Sequence, residues 1–232
     1  MVSLVPPHGS DSLKPLLLPA TERAAEAQRA ARLKRVPLSS REVSDLFMLG
    51  MGAYTPLDGF MGEADWKGVC DNFQMPTRGN VFWRIPITLS AEQDLADSIA
   101  IGEEVALVDT ETETIMGTMK VTEKYTIDKK YECEKIFTTA DEAHPGVQKV
   151  MTQGPVNLAG PVKVLSESYY PEMFAAIYQR HPRLTRLSES MTILPFFSMV
   201  DRRKILHRDM VEDPPRMHCR LLANSIPYAS EV

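Results

Sequence analysis

Three cysteines in 232 residues, Cys70, Cys133 and Cys219, are too few and too widely spaced for a disulfide framework, and no C-x-x-C pair suggests a zinc knuckle. Long hydrophobic runs are also missing. Nowhere do about 18 apolar residues follow one another, and the N-terminal stretch has no basic segment leading into an apolar core. Neither a membrane span nor secretion is expected, and a reducing cytoplasm fits best. Positive charge is in deficit, with 26 Lys+Arg against 31 Asp+Glu for a net -5, so an extended nucleic-acid footprint is not expected. Glycine-rich phosphate loops of the G-x-x-x-x-G-K-[ST] or G-x-G-x-x-G type are absent, and Gly50-Met51-Gly52 is too short to replace one. No G-x-S-x-G elbow, H-E-x-x-H or clustered metal-ligand spacing occurs either.

What remains is 44% hydrophobic and 25% charged, an ordinary globular composition long enough for one or two domains with a sizeable core. Thr21 to Arg35 is rich in Ala, Glu, Gln and Arg and predicts a helix with a weak apolar stripe. Ser39 and Glu42 form a capping box that opens a second helix, stopped by Gly50 and Gly52. Tyr54 to Met61 is turn chemistry around Pro56 and Gly59, read as a compact buried loop. Trp66, Val69, Cys70 and Phe73 fall on one face of a helix from about Glu63 to Gln74, so Cys70 is a core residue.

From Val81 the pattern turns to β. Val81 to Leu89 is a strand demoted to an edge or bulge by Pro86. Glu104 to Asp109 and Thr114 to Val121 read as an antiparallel pair, with Ile115, Gly117, Met119 and Val121 on the packing face. Tyr131 to Phe137 predicts a further strand, Thr138 to Val147 a helical turn or two, Val156 to Leu165 closing strands, and Pro171 to Arg180 a short amphipathic helix. The fold class is α+β: a small β-barrel with flanking helices and an irregular C-terminal tail. Residues 181–232 carry eight Lys+Arg and six Asp+Glu, net +2, against a net -7 for residues 1–180, and their apolar residues have no clean period.

Candidate chemistry is sparse. His144, before Pro145-Gly146, is a conceivable base or phosphate contact because imidazole titrates near neutrality, although a structural, hydrogen-bonded histidine is the stronger reading. Arg202, Arg203, Lys204, His207, Arg208 and His218 could form an anion-binding face, with a solvated basic tail preferred. Asp109, Glu111 and Glu113 could approach a cation but read better as a solvated hairpin tip. Cys133, flanked by Glu132 and Glu134, is a poor nucleophile because adjacent carboxylates oppose the thiolate. No catalytic, cofactor-binding or metal residue is assigned.

Four stretches in order carry a family resemblance: Gly9 to Leu16, Gly50 to Met61, His144 to Val147, and Leu158 to Leu165. Together they resemble the N-terminal domain of ATP sulfurylase (sulfate adenylyltransferase), over about residues 9 to 180. The resemblance implies a PUA-like domain over residues 21–168, behind a lead of residues 1–20. Residues 169–180 would lead toward a nucleotidyltransferase domain. In that family sulfate attacks the α-phosphorus of Mg-ATP to give adenosine 5'-phosphosulfate and pyrophosphate, or the reverse. The groups for this chemistry lie in a later domain with a Q-x-R-N-P-x-H motif, which residues 181–232 do not contain.

The expectation is therefore the N-terminal part of a sulfate adenylyltransferase, inactive as this chain, whose divergent tail of residues 181–232 is disordered or reflects a frame lost near Arg180-His181. No cofactor is expected on this chain, and Mg-ATP is implied for the complete enzyme. The alternative is a standalone PUA-like module that binds RNA or docks on a full-length sulfurylase. Homo-oligomerisation is a further expectation for partners.

Overall fold

The computed structural model of the chain describes residues 6–166. The expected helix of Pro171 to Arg180 and the tail of residues 181–232 lie outside them. Among the described residues, six α-helices surround one seven-stranded, nearly closed sheet.

Helix α1 (Ala20–Ala30) is shorter than the expected Thr21 to Arg35. It closes with the Ala31 N–H on the Ala27 carbonyl at 3.0 Å, and strand β1 (Lys34–Leu38) follows. Propensity favoured helix, but pairing overrode it. Strand β1 lies parallel to β6 (Glu104–Asp109), where Val36 and Leu38 are buried completely. Helix α2 (Ser40–Gly50) opens on the expected capping box, with Ser39 and Glu42 each satisfying the other's backbone N–H.

The Tyr54 to Met61 segment is buried except for Asp58 and contains the two-residue strand β2 (Gly59–Phe60). Helix α3 (Glu63–Asn72) ends at Phe73 in the left-handed region (φ 54°), and Cys70 is 1% exposed, as the helical face required. Val81 to Leu89 is not one strand. It begins as β4 (Val81–Phe82), which pairs with β3 (Gln74–Met75), and re-enters the sheet only at β5 (Leu89–Ala91). Helix α4 (Gln93–Ser98) then leads to β6.

Strand β7 (Ile115–Lys120) pairs antiparallel with β6, as expected, but a bulge between Leu107 and Val108 changes its faces. Gly117 and Met119 stay on the inner side and Met116 joins them, whereas Ile115 packs outside with Ala30, Ala106 and Val108. The face expected to be polar is also buried, because α1 lies across it. There Thr118 donates its hydroxyl to Glu26 at 2.8 Å and is 2% exposed.

Strand β8 (Glu123–Thr126) precedes the largest departure from expectation. Tyr131 to Phe137 belongs to helix α5 (Lys129–Phe137), not to a strand. The Tyr-Glu-Cys-Glu alternation imitates a strand, but Asp128 caps the segment by accepting the Tyr131 N–H at 3.0 Å. Helix α6 (Pro145–Met151) packs on α5.

Strand β9 (Val156–Val164) organises the sheet. Its first half pairs with β5 on one side and β8 on the other, and its second half pairs with β7 and β2. The change of partners occurs at Gly160, whose φ of 153° only glycine accepts readily, followed by Pro161. Inside the sheet, Leu89, Val105, Leu107, Met119, Leu158 and Val164 meet Val43, Leu46 and Leu49 of α2 in the main core.

Candidate functional site

Three of the four family-like stretches converge. From His8 onward the chain is bonded to the barrel. His8 Nε2–H donates to the Phe82 carbonyl at 2.7 Å, and the Lys14 N–H donates to Thr55 Oγ1 at 3.0 Å. The Leu16 and Leu17 N–H groups bond to the Leu49 and Gly50 carbonyls at 3.3 and 3.0 Å. Leu18 N–H then reaches the Val164 carbonyl and Val164 N–H returns to Leu16, each at 2.9 Å. The entry of the domain is thereby clamped to the strand that leaves it.

The Gly50 to Met61 turn lies between them. Thr55 turns its hydroxyl to the Gly52 carbonyl at 2.7 Å, and Val162 N–H reaches the Asp58 carbonyl at 2.9 Å. A Cβ on Gly59 would stand 2.0 Å from the Gly160 oxygen, and one on Gly160 would stand 1.9 Å from the Lys120 oxygen. These glycines permit backbone contact, so the motif is a close-packed junction. Arg78, in the 3-10 turn Pro76–Arg78, braces it through the Pro56 carbonyl at 3.0 Å and the Asp58 carboxylate at 2.5 Å. Asp65 of α3 holds the same turn by accepting the Thr77 N–H at 2.9 Å and its hydroxyl at 2.5 Å.

The fourth stretch, His144 to Val147, lies apart at the start of α6. His144 Nδ1 accepts the Gly146 and Val147 N–H groups at 3.2 and 3.4 Å, while the ring rests 5.1 Å from that of Phe137. This is the structural, hydrogen-bonded role. Asp109 is not part of a solvated tip: it is 5% exposed, and its carboxylate accepts the Glu111 N–H and the Thr112 hydroxyl. Glu111 and Glu113 are exposed. Cys133 is fully buried against Val147 and Val150, and burial, reinforced by Glu132 and Glu134, pushes its thiol up to about 11. Burial likewise raises Cys70, so neither thiol is a nucleophile at neutral pH. Arg202, Arg203, Lys204, His207, Arg208 and His218 lie outside the described residues.

The sequence reading missed a buried charge cluster at the start of α2. Glu42 is 2% exposed and caps Ser39, yet its second oxygen also accepts the Ser90 N–H at 2.8 Å and hydroxyl at 2.9 Å, joining the helix to β5. Arg41 donates to Glu42 at 3.3 Å and to the Thr88 carbonyl at 3.1 Å. Burial opposes the Arg41 charge, but Glu42, Asp45 and Glu132 outweigh it and raise its pKa. Glu132 accepts the Trp66 indole N–H at 2.7 Å. Only the Ser39–Glu42 spacing hinted at this cluster, because its other members are brought together by the sheet.

Among the described residues no group of three or more His, Cys, Asp or Glu is arranged to hold a metal ion. The buried carboxylates of Glu42 and Asp65 are spent on backbone and hydroxyl donors. No described helix is long and apolar enough to cross a membrane.

The nearly closed barrel-like sheet with flanking helices is that of a PUA-like domain. A PUA-like family model matches residues 5–167, and the chain belongs to that family. It is 62% identical over 189 residues to a sulfate adenylyltransferase of Syntrophobacter fumaroxidans, covering 81% of this chain and 46% of that protein. A sulfate adenylyltransferase of Chlorobaculum tepidum is 56% identical over 189 residues, with 81% and 46% covered. The chain thus carries the N-terminal part of a sulfate adenylyltransferase and spans about half the length of the curated relatives it matches. A solved structure, the hexameric APS kinase from Thiobacillus denitrificans, matches with a TM-score of 0.55 at 25% identity, over 75% of this chain and 29% of that one.

Proposed function

We propose that this domain is the architectural N-terminal half of an enzyme that makes adenosine 5'-phosphosulfate and pyrophosphate from ATP and sulfate, or runs the reverse reaction. In this reading the chain by itself is inactive in the cytoplasm, and Mg-ATP is bound by a partner half that supplies the reacting groups. The observation that carries the reading is that three of the four family-like stretches form a glycine-packed clamp, beside identity above 50% to sulfate adenylyltransferases of which the match covers 46%. Such a clamp positions a neighbouring domain; it does not polarise a phosphorus. The hexameric neighbour supports assembly into a homo-oligomer.

The test is sulfate-dependent pyrophosphate release from Mg-ATP. The chain alone should release none above background, and mixing it with the separately expressed C-terminal half of the Syntrophobacter fumaroxidans relative should produce release. Turnover by the chain alone, or no gain on mixing when both halves are folded, would overturn the proposal.

A further inference from the structure

His144 is the one described titratable side chain whose neutral form closes a helix end. Two backbone N–H donors converge on Nδ1, which must therefore carry a lone pair, so the ring proton is on Nε2. Helix α6 depends on this turn: the Gln148 N–H bonds to the His144 carbonyl at 3.0 Å, and Val147 and Val150 cover Cys133. Phe137 of α5 would lie 2.7 Å from a Cβ on Gly146, so the aromatic ring and the cap press on one turn.

The charged groups around the imidazole are engaged elsewhere or exposed. Asp141, in the turn before it, accepts the Ala143 N–H at 2.9 Å, and neighbouring Glu142 is exposed. From α5 the packed neighbour is the uncharged Phe137. The charged side chains of α5 include Lys129, which holds the Met151 and Gln153 carbonyls, Lys130, which pairs with Glu134, Glu132, which accepts from Trp66, and Lys135, which lies over the Tyr131 ring. Lys149 of α6 is exposed.

We propose that His144 is an acid-sensitive latch that holds α6 against α5. Protonation at Nδ1 replaces the acceptor with a donor facing two N–H groups and places positive charge at the positive end of a helix. Acid therefore opens the first turn of α6 and uncovers Cys133, while the barrel stays closed, because the imidazole of His8 at its seam acts as a donor to the Phe82 carbonyl, a bond that protonation leaves in place.

The experiment is amide hydrogen exchange on the full chain at pH 7.5 and 5.0, corrected for intrinsic rates, with Leu158 of β9 as an internal reference. Protection of Gln148 to Thr152 relative to Leu158 should fall about fivefold at the lower pH, the strength of an ordinary N-cap. His144→Asn, whose amide oxygen accepts the same bonds without titrating, should keep the ratio constant, and Cys133 should become accessible to 4,4'-dithiodipyridine at pH 5.0 only in the wild type. An unchanged wild-type ratio, or an equal fall in His144→Asn, would overturn the proposal. Failure of the mixing assay above would leave this result untouched, because the latch does not depend on the adenylyltransferase reading.

Discussion

The clamp and the α5–α6 pair are held together by different means. At the clamp, backbone meets backbone: Gly59 lies on Gly160, Gly160 lies on Lys120, and residues 14–18 exchange hydrogen bonds with the 49–55 turn and with Val164. Neither Gly59 nor Gly160 can take a side chain without moving a strand. The α5–α6 pair instead closes over a small apolar cluster of Cys133, Val147 and Val150 with one polar cap. Close backbone contact resists change over a whole segment, whereas a small side-chain cluster opens locally.

The largest expected effect follows from the clamp. Gly160→Ala should cost more than about 3 kcal/mol in urea unfolding, because both the contact with Lys120 and the φ forbid a side chain. A loss below about 1 kcal/mol would mean the seam yields. Leu158→Ala, in the main core and fully buried, should cost about 2–5 kcal/mol, against about 1–2 kcal/mol for Val150→Ala in the α5–α6 cluster. Equal losses would erase the distinction between the two regions. Glu42→Gln should cost about 2–3 kcal/mol, since the amide keeps one acceptor oxygen but loses the charge beside half-buried Arg41.

The smallest expected effect is a pH dependence on the outer face of the barrel. The Arg29 side-chain hydrogen bond, with contributions from Thr118 and Lys163, lowers Glu26 from 4.5 to about 2, against the opposing effect of burial. Since the folded value is depressed, its stabilisation is fully present above 4.5 and is lost as pH falls toward 2. Arg29 also reaches Glu104 of β6 and Glu26 accepts from Thr118 of β7, so the Glu26–Arg29 pair anchors α1 to the sheet. Unfolding midpoints measured between pH 6 and 2.5 should fall less steeply in Glu26→Gln than in the wild type. Parallel curves would show that Glu26 contributes nothing to the acid side.

Local signals in the sequence were read correctly where the structure obeys them locally. The Ser39–Glu42 box opens α2, and the 66, 69, 70 spacing marks the buried face of α3, whereas Phe73, expected on that face, follows the helix in the left-handed region and is half-buried. The 104–121 hairpin forms because its two strands are adjacent in the chain. The errors arise where a distant element decides. Residues 131–137 alternate like a strand, but the Asp128 cap and packing on α6 and Trp66 favour helix. Residues 31–35 favour helix by propensity, but pairing with β6 takes residues 34–38 into the sheet. The missed charge cluster has the same origin: Glu42 and Ser90 are 48 residues apart, and no local pattern joins them.

By itself the sequence determined the class of the domain, the absence of phosphate and metal motifs, the Ser39–Glu42 helix cap and the family-like stretches. These are properties of short windows, in which a few neighbouring residues set the backbone or name a chemistry. Only the tertiary structure decided that Gly9 to Leu16, Gly50 to Met61 and Leu158 to Leu165 make one clamp while His144 stands apart, that a bulge turns Met116 inward, and that Glu42 serves two elements at once. Those outcomes depend on strand register and on which backbones can touch, and both are set by long-range packing rather than by any residue's own preference.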